Sequence, residues 1–218
     1  MPADPSPASA VADRLRAAGC VFAEDEAALL LAEAASPAEL ESMVERRASG
    51  EPLEQVLGWA EFCGLRFVVE PGVFVPRRRT ELLVREAAAL VKGPAVVVDL
   101  CCGSGAVGAA LAEVVATDGH RVELHAADVD PAAVACARRN LPAGGQVHQG
   151  DLYAALPRSL RGHVDLLLVN APYVPTAEIG MMPPEARLHE ARVALDGGPD
   201  GLDVQRRVIA GAPRWLAP

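Results

Sequence analysis

The chain has 218 residues, of which 51% are hydrophobic, enough for one α/β domain plus a small appendage around a sizeable core. A net charge of −9 and an aromatic content of 4% argue against nucleic acid as a direct substrate, since binding a phosphate backbone draws on clustered Lys and Arg and stacking draws on aromatic rings. Five cysteines, Cys20, Cys63, Cys101, Cys102 and Cys136, form an odd set with no C-x-x-C pair and no histidine at ligand spacing, which excludes a disulfide framework and gives no metal site.

The N-terminus, Met1 to Ser6, lacks a basic stretch leading into an apolar one, and no apolar run approaches ~18 residues, so the expected setting is the cytoplasm with reduced thiols. Three helical pieces are expected between Ser9 and Ser49, carried by Val11/Leu15/Ala18, Leu30/Leu31/Ala34 and Leu40/Met43/Val44. The third has a legible start: Ser36 as N-cap, Pro37 in the first turn and Glu39 completing a capping box. Gly50-Glu51-Pro52 stops it. Residues 1–56 therefore read as a small helical domain, and 57–75 as a hairpin linker, because Trp59 to Val69 changes to period two with a turn at Cys63-Gly64. Thr80 is the expected cap of a helix from Glu81 to about Val91, preceded by the basic triplet Arg77-Arg78-Arg79.

The remaining residues, 76–218, form the catalytic-looking unit. Val96 to Val98 read as a strand buried on both faces that ends at Asp99, then turns through Cys101-Cys102-Gly103-Ser104-Gly105 into a helix over Ala106 to Val115. Gly103-x-Gly105-x-x-Gly108 spells the dinucleotide fingerprint, a weak match by itself. Asp99 favours another ligand: a carboxylate there would repel a pyrophosphate but could hold the ammonium of S-adenosylmethionine. Val122 to Ala127 is a second strand. At its carboxyl end Asp128, with Val129 beside it, stands where an acid takes ribose hydroxyls, a role common to NAD and S-adenosylmethionine. Asp130 reads as a helix cap ahead of Pro131. Gln146 to Gln149 is a short third strand, and Asp151-Leu152 follows it where the adenine end of the ligand would lie. Val164 to Asn170 is the fourth strand. Asn170 offers an amide oxygen, Ala171 a backbone carbonyl and Tyr173 a flat face, the set needed to aim a planar nitrogen nucleophile at a methyl group.

On Gly50-Glu-Pro-Leu53, Leu57-Gly58, Phe62 to Phe67, Val75-Pro-Arg with Thr80-Glu-Leu-Leu83, the Asp99 to Gly105 loop, Asp128 and Asn170 to Tyr173, the chain resembles the HemK/PrmC family of S-adenosylmethionine-dependent protein-glutamine N-methyltransferases. The resemblance implies a Rossmann-like methyltransferase sheet behind the helical domain. It implies cofactor contacts at Cys101, Cys102, Gly103, Ser104, Gly105, Asp128, Leu152 and Asn170, joined by Asp99, Val129 and Asp151. Substrate contacts fall on Asn170, Ala171, Pro172 and Tyr173, with Asn170, Pro172 and Tyr173 as the catalytic set. The implied acceptor is the glutamine of the Gly-Gly-Gln motif in class 1 peptide-chain release factors. No dedicated general base is visible.

The chain departs from the family pattern at four places. Cys101 replaces a glycine, which is unstrained only at negative φ; Ala171 replaces a proline and loosens the turn; Arg78 stands where a second proline is usual. A sheet of this class also continues past the helix near Leu202 to Ala210 with three more strands, which Arg214 to Pro218 only approaches. The expectation is a truncated chain, or second to it a dimer pairing bare edges. The alternatives are an adenine-N6 methyltransferase on RNA or DNA and a non-catalytic S-adenosylmethionine-binding protein.

Overall fold

The computed structural model describes residues 7–218; the first six residues, on which the absence of a leader was read, lie outside it. Helices α1 (Pro7–Ala17), α2 (Ala23–Glu33) and α3 (Pro37–Ala48) follow the three apolar periodicities, and Leu15, Leu30 and Val44 are fully buried where they meet. Each such side chain contributes roughly 1.5–3 kcal/mol. Ser36 caps α3 by accepting from the Glu39 N–H at 3.2 Å, and Glu39 reaches back to the N–H of Ala35 at 2.8 Å, one residue earlier than a standard capping box. A bidentate, nearly buried pair, Arg47 to Glu26 at 2.6 and 3.1 Å, clamps α3 to α2.

The sequence reading did not foresee α4 (Leu53–Leu57), which begins directly after Pro52 and closes the helical core with Val56. The hairpin is as expected: β1 (Trp59–Phe62) pairs antiparallel with β2 (Leu65–Val68) around Cys63-Gly64. Phe62 and Phe67 pack into the same cluster as Val84, Val97 and Leu111, so the hairpin covers part of the sheet domain's core. Thr80 does not cap the next helix. It ends a 3-10 turn, Arg78–Thr80, that leads straight into α5 (Glu81–Leu90), and no side chain bonds the helix start.

A four-stranded parallel sheet in the order β5-β4-β3-β6 forms the rest: β3 (Ala95–Leu100), β4 (Val122–Asp128), β5 (Gln146–Gln149) and β6 (Leu166–Val169). Between them run α6 (Ala106–Thr117) and α7 (Pro131–Asn140), the latter capped by Asp130 at 2.9 Å. Strand alternation decides which residue meets which layer. Val97 packs with α6, whereas Val98 and Leu100 face a second cluster with Leu156, Leu160, Val208 and Trp215. Asp99, two residues from Val97, is thereby turned toward α6. The fourth strand is shorter than expected, and Val164 instead bridges Leu216 in parallel, so the segment after α10 (Asp203–Gly211) runs beside it. The stretch from 174 to 200, unassigned from sequence, holds a 3-10 turn, α8 (Pro184–His189) and α9 (Arg192–Leu195). Among the described residues no helix is long and apolar enough to cross a membrane.

On the face of β4 opposite α6, His125 is buried, and its two ring nitrogens meet His148 at 3.0 Å and Glu123 at 2.9 Å. Burial, and secondarily His125, lowers the pKa of His148 below that of a free imidazole. An imidazole with a depressed pKa contributes stability that is complete above about pH 6.5, the free value, and is lost as pH falls toward the folded one. In urea unfolding at a series of pH values, the stability of the parent relative to His148→Gln should therefore decline from neutral pH into the acid range. Equal slopes in the two proteins would remove His148 from the account.

Candidate functional site

The carboxyl ends of β3, β4 and β6 converge on one cleft, the place where open parallel sheets bind ligands. Nearly every residue singled out from sequence lines it: Asp99, Cys101, Cys102, Gly103, Ser104, Asp128, Val129, Asp151, Leu152, Asn170, Ala171, Pro172 and Tyr173. Gly105 does not. At φ +77, a side chain there would place its Cβ 2.7 Å from Leu141 and 3.1 Å from the Ala137 Cβ, so this glycine lets α7 approach the loop rather than a ligand.

The loop is held from two sides. Asp128 accepts from the Gly103 N–H at 2.9 Å with one oxygen and from the Asp130 N–H at 3.0 Å with the other, tying the end of β4 to the turn after β3. Asn140 of α7 donates to the carbonyls of Ser104 at 2.9 Å and Val68 at 2.8 Å, joining the loop to the hairpin. Cys101 contradicts the condition set for it: its φ is +56°, in the left-handed region. Leu152 also has positive φ, so two of the three such non-glycine residues described lie in the cleft, the kind of place where backbone strain gathers.

Two carboxyl groups are buried here. Asp99 is 1% exposed and accepts from the Gly108 N–H in the first turn of α6 at 2.9 Å; burial pushes its pKa up to about 7 against that hydrogen bond, with Asp128 adding to the rise. Burial likewise raises the pKa of Asp128, opposed by its backbone N–H partners. The Cys101 thiol is pushed up to about 12, chiefly by burial, which leaves it protonated and inert.

At the end of β6 the Asn170 amide and the Ala171 carbonyl have no hydrogen-bond partner among the described residues, while Ala171 and Pro172 are buried and Tyr173 is 44% exposed. The backbone after them is fixed: the Val174 N–H donates to Leu195 O at 3.0 Å and the Gly197 N–H donates back to Val174 O at 2.9 Å. Gly201 completes the support, since a Cβ there would stand 2.4 Å from Tyr173 O.

The cleft also takes in residues outside the expected site, among them Phe74, Val204 and Arg207, the last paired to Asp151 at 2.5 Å across the cleft mouth, and Arg77, from the basic triplet read as edging the cofactor cleft or meeting an acidic substrate. Phe74 could have been found, as an aromatic between turn residues in a chain poor in aromatics; Arg207, from a helix far along the chain, gave no signal. The basic triplet divides. Arg77 pairs with Glu190 at 2.6 Å, Arg79 hydrogen-bonds the Tyr173 hydroxyl, and Arg78 is exposed. A second cleft, reached past Phe74, Arg77 and Tyr173, is lined further by Glu54, Arg79, Glu185 and Leu195.

The family model described as methyltransferase small domain matches residues 64–210, more than half of the chain. The chain belongs to the methyltransferase small domain family. The match runs from the hairpin turn to α10 and so takes in the whole cleft. Among individual relatives of this family member, a "Release factor glutamine methyltransferase" of Geobacter sulfurreducens is 40% identical over 81% of the chain and 61% of its own length. One of the same name from Streptomyces coelicolor is 43% identical over 81% of the chain and 63% of its own. A "4-amino-L-phenylalanine/4-methylamino-L-phenylalanine methyltransferase" of Streptomyces pristinaespiralis is 37% identical over 80% and 61%. The chain thus spans less than two thirds of the length of these relatives.

Gly201→Ala tests the support of the Asn170 to Tyr173 turn. Gly201 and Gly162 both have positive φ, but only Gly201 also meets backbone, with nothing near a Cβ at Gly162. In urea melts Gly162→Ala should cost about 1 kcal/mol from the strained backbone alone, and Gly201→Ala roughly 1–3 kcal/mol more. Equal costs would mean that the turn yields freely.

Proposed function

We propose that the protein is a cytoplasmic N-methyltransferase that moves a methyl group from S-adenosylmethionine to the side-chain amide of a protein glutamine, the Gly-Gly-Gln glutamine of peptide-chain release factors. The observation that carries this reading is the pair of unpaired acceptors, Asn170 and the Ala171 carbonyl, at the end of β6 beside two buried carboxyl groups. Two adjacent acceptors match the two N–H groups of a carboxamide. The relatives named as release factor glutamine methyltransferases support the same acceptor.

The residues present fit the cofactor. Asp99 offers a carboxylate to an ammonium, and Asp128 keeps lone pairs for ribose hydroxyls beyond those that its backbone donors use. S-adenosylmethionine, when bound, supplies a methyl group made electrophilic by the sulfonium. The chain's own work is orientation. An amide nitrogen is a poor nucleophile because its lone pair is delocalised, so Asn170 and Ala171 O gain leverage by accepting both N–H groups, fixing the plane and favouring the positive charge that grows on nitrogen. Tyr173 gives this plane a wall, and buried Pro172 stiffens the backbone behind it. The buried lining of the cleft strengthens each of these contacts by keeping water away.

Mass spectrometry of a release factor after incubation with the protein and S-adenosylmethionine tests the assignment, with an adenine-containing RNA and DNA alongside. A methyl group on the Gly-Gly-Gln glutamine is expected, and methyl groups on adenine alone would overturn the acceptor. Asn170→Ala should slow glutamine methylation roughly 100- to 1,000-fold while sparing much of the cofactor binding, as for loss of one preorganised polar group at a reacting centre.

Asp99 adds a pH dependence. A bound ammonium favours the ionised carboxylate, so binding expels a proton from Asp99 whenever pH lies below about 7, the value in the free site. Cofactor affinity should rise with pH up to about 7 and level off there, short of about pH 8, where the ammonium itself loses its proton. In Asp99→Asn the binding should be weaker and flat across that range, and a titration series equally flat in the parent would remove the ammonium from Asp99.

A further inference from the structure

Of the basic triplet, Arg77 alone lines both clefts. Its guanidinium lies 5.0 Å from the ring of Phe74, another residue of that seam, and is held by one nitrogen, Nη2, which donates to Glu190 Oε1 at 2.6 Å. Its Nε and Nη1 have no hydrogen-bond partner among the described residues. Glu190 is an unusual holder. Its side chain is 0% exposed, the Val75 N–H adds a second bond to Oε1 at 3.1 Å, and Oε2 is buried with no partner at all.

Burying a carboxylate with one oxygen unsatisfied is costly, and an apolar pair in place of Glu190 and Arg77 would fill the space at least as stably. What the acid achieves is position. Its backbone is pinned to the strand-like segment before Arg77: Glu190 bridges Gly72, the Ala191 N–H donates to Gly72 O at 3.0 Å, and Gln55 of α4 donates to both Val73 O and His189 O at 3.0 Å. Three distant segments thus fix one guanidinium at the passage between the clefts, with donors unused. The second cleft carries Glu54 and Glu185 against a single further cation, Arg79, so a neutral acceptor oxygen suits it better than a phosphate or carboxylate.

We propose that Arg77 anchors a main-chain carbonyl of the protein substrate next to the residue whose side chain reaches Asn170, with Glu190 as its positioning residue. This rests on the glutamine methyltransferase reading and adds to it the group that grips the substrate backbone. Arg77→Ala is a poor probe, because it strands the buried Glu190 carboxylate. Arg77→Lys keeps that charge partner and loses the fork, and the double variant Arg77→Met/Glu190→Gln removes the anchor while leaving the interior neutral.

The measurement is steady-state kinetics with a release factor, with S-adenosylmethionine affinity by calorimetry and a thermal melt to verify folding. Arg77→Lys and the double variant should raise KM for the release factor roughly 10- to 100-fold, with kcat and cofactor affinity within about threefold of the parent. Glu190→Gln should raise KM by less, since an amide oxygen still accepts from Arg77. A folded double variant with parental KM overturns the anchor, and so does a variant whose loss lies in cofactor affinity. Binding of the release factor in the presence of S-adenosylhomocysteine separates the two levels of the argument. A parent protein that neither binds nor methylates the release factor rejects the functional reading together with this proposal; a parent that does both while the folded double variant matches it rejects the anchor alone.

Discussion

The carboxylate of Asp128 is the tie on which the cleft depends. It sits at the end of β4 yet holds the Gly103 N–H of the turn after β3 and the Asp130 N–H at the start of α7, so two strand ends and a helix share one side chain. Without that link the loop from Cys101 to Gly105 would hold a left-handed cysteine, at a cost of about 1–2 kcal/mol, with one fewer tie to β4. Asn140 braces the same loop from α7 through Ser104 O, and also pairs with Val68 of the hairpin in both directions. The linker, the glycine loop and α7 are therefore one mechanical unit, and a ligand entering the cleft meets a wall that is already in place.

The other wall is built differently. Asn170 to Tyr173 leave the sheet at β6 and are supported by chain some twenty to thirty residues later, through Leu195, Gly197 and Gly201. Tertiary packing brings these segments together with the Pro76-Arg77 stretch and with Gln55 of the helical region. The helical region is thus coupled to the cleft by specific hydrogen bonds, and the ion pair of Arg47 with Glu185, 3.5 Å apart, adds a further contact to the same support.

What was legible in the sequence was what local chemistry dictates. The valine run, the acid at its end and the glycines after it announced strand, loop and helix, and Ser36 and Asp130 announced their caps, because each of these signals lies within a few residues of its effect. Thr80 was misread because a 3-10 turn carries the chain into α5, a tertiary choice that no cap residue records. The φ of Cys101, on which an unstrained fit depended, was not legible for a similar reason: the loop takes the shape its hydrogen bonds impose, and the residue bears the strain. The pairings of Arg77 with Glu190 and of Asp151 with Arg207 were out of reach, since each joins residues more than fifty positions apart and neither Glu190 nor Arg207 stands out in its own neighbourhood.

The central claim is that a cleft framed by Asp99, Asp128 and Asn170 receives S-adenosylmethionine. The direct measurement is calorimetric titration of the protein with S-adenosylmethionine and, separately, with NADH, each repeated on Asp128→Asn. The account predicts saturable binding of S-adenosylmethionine, weakened roughly 10- to 100-fold by the substitution, and no comparable binding of NADH. Tighter binding of NADH than of S-adenosylmethionine, or S-adenosylmethionine affinity unchanged in Asp128→Asn, would contradict it.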